Sequence, residues 1–319
     1  MRESHFTFTA DDGAKLFVYR WLPDVGFGKA VVHIAHGLAE HAGRYERLAE
    51  RLTENGYVVF ANDHRGHGRT AKELEDSGFF ADTNGWQRIL KDIEQLWWVE
   101  RNDFPNHPII LLGHSMGSLI AQHMAARDVF NAIAMSGANG MVSPLVYVGK
   151  LIAKIESWRL GKRGKSELIN SLTFDAFNKA FKPNRTSFDW LTRDEDEVDK
   201  YIADPMCGFL CSNQLWMDML NAITEAARPE FRARIPKQLP IYLFSGSRDQ
   251  VNAEGRGSTA LAEYYRSIGM EKVSYRIFTQ ARHETLNELN REEVTEHLID
   301  WMNAIVKLSD THLSSRAIQ

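Results

Sequence analysis

Along most of the chain, short runs that are apolar at nearly every position alternate with longer stretches whose apolar residues recur every three or four positions. Ala30-Val31-Val32-His33-Ile34-Ala35, Tyr57-Val58-Val59-Phe60-Ala61, a run over 108–113, Val129 to Met135 and Leu239 to Phe244 are of the first kind. A strand covered on both faces reads this way because neither face meets water. Trp86, Ile89, Leu90, Ile93, Leu96 and Trp97 keep helical spacing and predict an amphipathic helix over 86–101. Helices are likewise predicted over 44–54, 116–126, 253–268 and 291–308, with one more strand over 273–278. Near the start, 5–10 and 14–22 alternate apolar and polar residues around Asp11-Asp12-Gly13, a hairpin signal. The polar tail from Ser309 is expected to fray. Strand and helix in alternation predict an α/β protein with a doubly wound, mostly parallel sheet.

The alternation stops near residue 138. From Ala138 to Ile235 only helix-like segments, a basic loop (Arg159 to Lys165) and an acidic run (Arg193 to Lys200) are found. The expectation is a core formed by 1–137 and 237–319, with 138–236 inserted as a helical cap, or lid. A chain of 319 residues suits one α/β domain carrying such an insertion. With 44% hydrophobic and 25% charged residues it is ordinary globular material, and a net charge of -4 argues against a nucleic-acid surface. No apolar run is long enough to span a bilayer. The N-terminus enters strand-like sequence without the apolar stretch of a secretion signal. Cys207 and Cys211 are too few for a metal cage and read as reduced, buried thiols. A cytoplasmic setting is expected.

Candidate chemistry centres on Gly113-His114-Ser115-Met116-Gly117, a G-x-S-x-G between a predicted strand and a predicted helix. A serine on that sharp turn carries its hydroxyl above the sheet, beside the positive N-terminal end of the next helix. A serine nucleophile needs a base, and the base needs an orienting acid. Asp249 follows the strand ending at Phe244, and His283 follows the strand ending at Phe278. The competing acid position, after the strand near 130–136, holds Asn139, which cannot accept as a carboxylate does. The amide of Met116 offers one oxyanion donor, and the turn His36-Gly37-Leu38 offers Leu38 as the second. His33, His36, His41, His64 and His67 lack metal-ligand spacing and are expected to pack and hydrogen-bond beneath the serine; no metal is expected.

With these residues assembled, the chain resembles the α/β-hydrolase family, in its monoacylglycerol lipase and lysophospholipase branch. The resemblance rests on H-G-L-A-E-H-A-G-R-Y (36–45), N-D-H-R-G-H-G (62–68), G-H-S-M-G-S (113–118), S-G-S-R-D-Q-V (245–251) and A-R-H-E-T-L-N-E (281–288). It covers nearly the whole core, while the cap is similar only through D-P-M-C-G-F (204–209). It implies the α/β-hydrolase fold, ester hydrolysis without a cofactor, a triad of Ser115, Asp249 and His283, and an oxyanion hole at Leu38 and Met116. It also implies a polar pocket for a glycerol head at Glu40 and Arg44. Those lipases place a histidine three residues beyond the catalytic one, where this chain has Leu286.

The cap is rich in apolar residues from Met141 and Val142 through Leu145, Val146, Tyr147, Val148, Leu151, Ile152, Ile155 and Trp158. They, with Met206, Phe209, Leu210, Trp216, Met217 and Met219, would either line an acyl tunnel or pack cap onto core. The expected partner is a small-molecule acyl ester, with no obligate protein partner and with transient contact to membrane lipid compatible with the basic loop. Three other readings stay open. One is a short-chain esterase. Another is a proline-releasing aminopeptidase whose amine would be held by Glu195, Asp196 and Glu197. The last is a catalytically silent binding module.

Overall fold

The computed structural model describes residues 1–26, 28–140 and 142–316, with side chains as far as Lys307, so Met141 of the cap's apolar run lies outside the described residues. Strands β1 (Arg2–Thr9) and β2 (Lys15–Leu22) form the antiparallel hairpin. Six more follow: β3 (Ala30–Ala35), β4 (Tyr57–Asn62), β5 (Ile109–His114), β6 (Ala132–Ser136), β7 (Ile241–Gly246) and β8 (Val273–Phe278). The sheet has the order β1-β2-β4-β3-β5-β6-β7-β8, antiparallel as far as β4 and parallel beyond it. Every residue of β3 to β7 is buried, which is why those strands read as unbroken apolar runs.

Helices cover both faces. α1 (Glu46–Glu54) and α11 (Arg291–Arg316) bring Leu52, Leu298 and Met302 onto one side. α2 (Gly85–Asp103), α3 (Met116–Ala125) and α10 (Arg256–Ser267) bring Ile93, Ile120 and Leu261 onto the other. Along β3, Val31 faces one core and Val32 the other, as strand periodicity requires. The chain passes from β3 outward to β4, then returns to the opposite side of β3 with β5. The ends of β3 and β5 therefore flank the point where the strand order reverses, where open α/β sheets bind ligands.

Between β6 and β7 the described residues hold helices and one isolated bridge. The helices are α4 (Leu145–Leu160), α5 (Glu167–Leu172), α6 (Phe174–Asn178), α7 (Glu195–Ala203), α8 (Asn213–Ala226) and α9 (Pro229–Arg232). Side-chain oxygens of Ser166, Asp194 and Ser212 cap α5, α7 and α8, satisfying first-turn amides.

Several element ends differ from the sequence expectation, each for a local reason. β6 starts at Ala132 rather than Val129, because Asp128 turns the chain at φ 55 and the Asn131 side chain accepts the Ile109 amide. β7 starts at Ile241, since Pro240 has no amide to give the ladder. α10 starts three residues late because Ala253, Glu254 and Gly255 all have positive φ. α11 continues to Arg316, and no glycine or proline stands between 291 and 316 to stop it. Cys207 and Cys211 are buried and free, as expected, and lie in the loop between α7 and α8.

Candidate active site

Ser115 alone makes the turn from β5 to α3, with φ 52 and ψ -113. A non-glycine residue held there is strained, and the surroundings must fix it. They do so by close approach: a Cβ on Gly117 would overlap the Ala35 carbonyl, and one on Gly113 would overlap the Gly117 carbonyl. The Ser115 amide donates to the Ser136 carbonyl at 2.9 Å, and the Ser118 hydroxyl donates to the Ser115 carbonyl at 2.6 Å. These contacts hold the Ser115 backbone in that turn.

His283 Nε2 lies 2.9 Å from Ser115 Oγ, and its Nδ1 lies 2.9 Å from each Asp249 oxygen. An ionised Asp249 only accepts, so Nδ1 carries the ring proton and Nε2 accepts from the serine hydroxyl. Asp249 has no exposure and also accepts the Val251 amide at 2.9 Å. Burial works to lower the His283 pKa, but the charge and hydrogen bond of Asp249, then the charges of Glu284 and Glu40, outweigh it and leave it raised. On its other sides the imidazole meets the ring of His114 at 4.9 Å and that of Trp190 at 5.2 Å. A Cβ on Gly137 would stand only 2.9 Å from His283 Cε1, so that glycine lets β6 end against the ring. His114 itself is pushed down to about 3, first by burial and then by His283, and so stays neutral.

Met116 is the first residue of α3, where a backbone amide has no intrahelical acceptor, and Leu38 lines the same cavity as Ser115. His36 shapes the Leu38 loop: Nδ1 donates to the Gly37 carbonyl at 2.7 Å, and Nε2 accepts the His64 amide at 3.0 Å. His67 Nδ1 donates to the Arg65 carbonyl at 2.9 Å, so these two rings bind loop backbone, whereas His33 is paired with the buried Glu100 at 2.7 Å. Within the described residues, His41, Asp204 and Cys207 bring potential metal-ligand atoms within 4.8 Å of one another. His41 and Asp204 are already paired at 2.9 Å, and burial pushes the Cys207 thiol up, away from the thiolate a metal requires.

Glu40 and Arg44 are employed differently from the glycerol contact that the resemblance implied. Glu40 Oε1 accepts the Gly37 amide at 2.5 Å and the Tyr45 hydroxyl at 2.9 Å, while Oε2 takes Arg44 at 2.6 Å. Arg44 also grips both oxygens of Glu284 at 2.7 and 2.8 Å. Burial raises Glu40, whereas the Arg44 charge overrides burial at Glu284 and holds it below the ordinary range. The void beside this network measures about 20 Å³, room on the order of one water rather than a glycerol head. Neither residue lines the cavity at Ser115, and Leu286 is buried in the core. The network joins the His36–Leu38 turn to the residue after His283.

That cavity has a volume of about 290 Å³ and is walled mainly by Leu119, Val146, Phe174, Trp216, Leu220 and Ile223. Of the apolar cap residues singled out by sequence, Val146, Trp216 and Met219 face it. Leu145, Tyr147, Val148, Leu151, Ile155 and Trp158 face solvent instead. Glu197 is paired to Arg47 and Lys200, and none of Glu195, Asp196 and Glu197 lines the cavity. Sequence reasoning passed over Trp190, Glu284 and Glu288. Glu284 stood beside the candidate histidine, and only its buried ion pair reveals a task.

A family model described as serine aminopeptidase, S33, matches residues 28–290. Mouse monoglyceride lipase is 32% identical over 302 residues, covering 92% of this chain and 88% of its own. Monoacylglycerol lipase of Mycolicibacterium smegmatis is 28% identical over 305 residues, covering 94% and 96%. A thermostable carboxyl esterase from Bacillus coagulans superposes with a TM-score of 0.87 over 96% of this chain and 99% of its own, at 24% identity.

Proposed function

The chain belongs to the serine aminopeptidase S33 family, with an α/β-hydrolase fold, and from that premise we propose that it hydrolyses lipid acyl esters through Ser115, His283 and Asp249. The observation that carries this reading is the Ser115–His283–Asp249 relay, 2.9 Å at each step, opening on an apolar cavity. His283 takes the serine proton as Oγ attacks the ester carbonyl, and the amides of Leu38 and Met116 receive the oxyanion. The alcohol departs with the proton from His283, and water repeats the path to free the acid. The wall of leucine, valine and aromatic side chains fits an acyl chain, each buried methylene adding about 0.8 kcal/mol. Among the described residues that line it there is no carboxylate for the free amine of a peptide. Monoacylglycerol lipases among the relatives make monoacylglycerol the first natural substrate to try.

In this reading the helical segment 138–236 is a lid over the cavity. Helix α4 presents Leu145, Val148, Leu151, Ile155 and Trp158 as one exposed stripe, with Trp158 88% exposed. Exposed Lys154, Arg159, Lys162 and Arg163 are on or just beyond that helix. An apolar stripe flanked by cations suits an anionic lipid surface, so the lid is also the contact with membrane. Among the described residues no helix is long and apolar enough to cross one.

A ladder of p-nitrophenyl esters from acetyl to palmitoyl, with a proline anilide alongside, tests the activity. Rates that rise beyond the acetyl ester, with no anilide cleavage, are expected. Preferential anilide cleavage would replace the ester reading with a peptidase. Co-sedimentation with phosphatidylserine vesicles tests the lid contact, and Trp158→Glu with Leu151→Glu should abolish it; unchanged sedimentation would refute it.

A further inference from the structure

One short piece of the inserted segment is tied to the histidine loop far more closely than the rest. Over Asp189–Asp194, the Trp190 carbonyl accepts the His283 amide at 3.4 Å and the Leu191 carbonyl accepts the Glu284 amide at 2.7 Å. Arg282 donates to the Asp189 and Thr192 carbonyls, and Thr192 Oγ1 donates to the Asn287 carbonyl at 2.9 Å. Glu288, with no exposure, accepts from the Arg193 amide at 3.1 Å, Arg193 Nε at 2.8 Å and the Arg282 amide at 2.8 Å. Asp194 pairs with Arg291 at 2.5 Å. Backbone, side-chain and ionic contacts all join the same two segments.

At the centre of this strap the Trp190 indole leans over the His283 ring at 5.2 Å and 32°. It is 5% exposed and is itself held by Phe174, stacked at 5.6 Å, and by the Asn178 side chain, which accepts its amide at 3.0 Å. The same indole lines the cavity proposed for the acyl chain. The imidazole is thus confined by His114, Gly137 and Trp190, and of these only Trp190 comes from the inserted segment.

We propose that Trp190 is a positioning residue, held by the Asp189–Asp194 strap, that fixes the His283 imidazole against Ser115. This rests on the hydrolase reading. The strap stays with the core whatever the rest of the lid does, because lifting it would break the bonds that place the base. Any opening that keeps the base in place leaves α6 with the strap, because its Phe174 and Asn178 hold Trp190.

The experiment compares Trp190→Leu and Trp190→Phe with the parent on p-nitrophenyl acetate, too short to touch the cavity's far walls, and on the octanoate. Misplacing a base by about 1 Å costs on the order of 100-fold, so Trp190→Leu should lose about 10- to 100-fold in kcat on the acetate with KM nearly unchanged. Trp190→Phe, which still stacks, should recover most of it. Octanoate should show the same loss in kcat plus a rise in KM. If Trp190→Leu keeps the parental kcat on acetate and loses only octanoate KM, Trp190 is a cavity wall and the proposal is overturned. Should Trp190→Leu not fold, Trp190→Met fills the space with a flexible apolar chain and carries the same test. A parent inert with both esters would remove the hydrolase reading itself, an outcome distinct from an active parent matched by its variants.

Discussion

Replacing Arg44 with methionine removes the one cation between Glu40 and Glu284 while keeping most of the side chain's bulk. All three side chains are nearly buried, at 11%, 4% and 5% exposure. Taking one partner from a buried ion pair costs about 3–5 kcal/mol, because the remaining charge has no water to return to. Here two carboxylates would face each other, and one must take up a proton. Arg44 grips both oxygens of Glu284 but only one of Glu40, so the change falls mainly on Glu284, now held below its ordinary 4.5. In the variant the folded-state pKa of Glu284 rises above 4.5, so its contribution is intact below that pH and lost as pH rises. Each unit of pH between 4.5 and that raised value costs about 1.4 kcal/mol, so the variant should be weaker at about pH 7.5 than at about pH 5.5. In the parent the same group contributes fully throughout that window, its contribution being lost only as pH falls below 4.5. Urea unfolding of both proteins at the two pH values measures the difference. A loss under about 1 kcal/mol, or one that does not change with pH, would refute the account of the network as a buried, cation-dependent clamp.

The base must be neutral to act, and its pKa is raised, so kcat/KM should climb with pH to a midpoint above 6.5; a midpoint below that would contradict the Asp249 and Glu284 contributions. Asp249→Asn keeps the shape but lets the ring take the wrong tautomer, and kcat should fall about 10⁴-fold in steady-state assays. A side chain at Gly246 would overlap the Ala281 and Arg282 carbonyls, pushing the His283 loop away. Gly246→Ala should therefore lose on the order of 100-fold in kcat, and parental kcat would show that the loop tolerates displacement.

The core was legible in the sequence because β3 to β7 are buried on both faces, and burial writes an apolar run at every position. Ser115, Asp249 and His283 were legible because each follows a strand end, and parallel strands gather those ends on one rim. The elements that shifted did so where turn geometry overrode apolar pattern, as at Asp128 and over Ala253 to Gly255. The strap was illegible: Asp189–Asp194 meets the histidine loop about 90 residues later mostly through backbone carbonyls, which carry no residue signature. Glu40 and Arg44 showed the opposite failure. Their family pattern pointed to a ligand, while burial and the partner Glu284, which only the packed chain supplies, turned them inward. The apolar residues of α4 could not be divided in advance between cavity and solvent, since one helix contributes to both.

The most direct test of the account is stoichiometric labelling with a fluorophosphonate, followed by mass analysis of the modified peptide. One adduct per chain on Ser115 is expected, with none on Ser115→Ala, whose kcat on an activated ester should fall on the order of 10⁶-fold. An adduct elsewhere, or Ser115→Ala turning over at the parental rate, would contradict the relay from Asp249 through His283 to this serine.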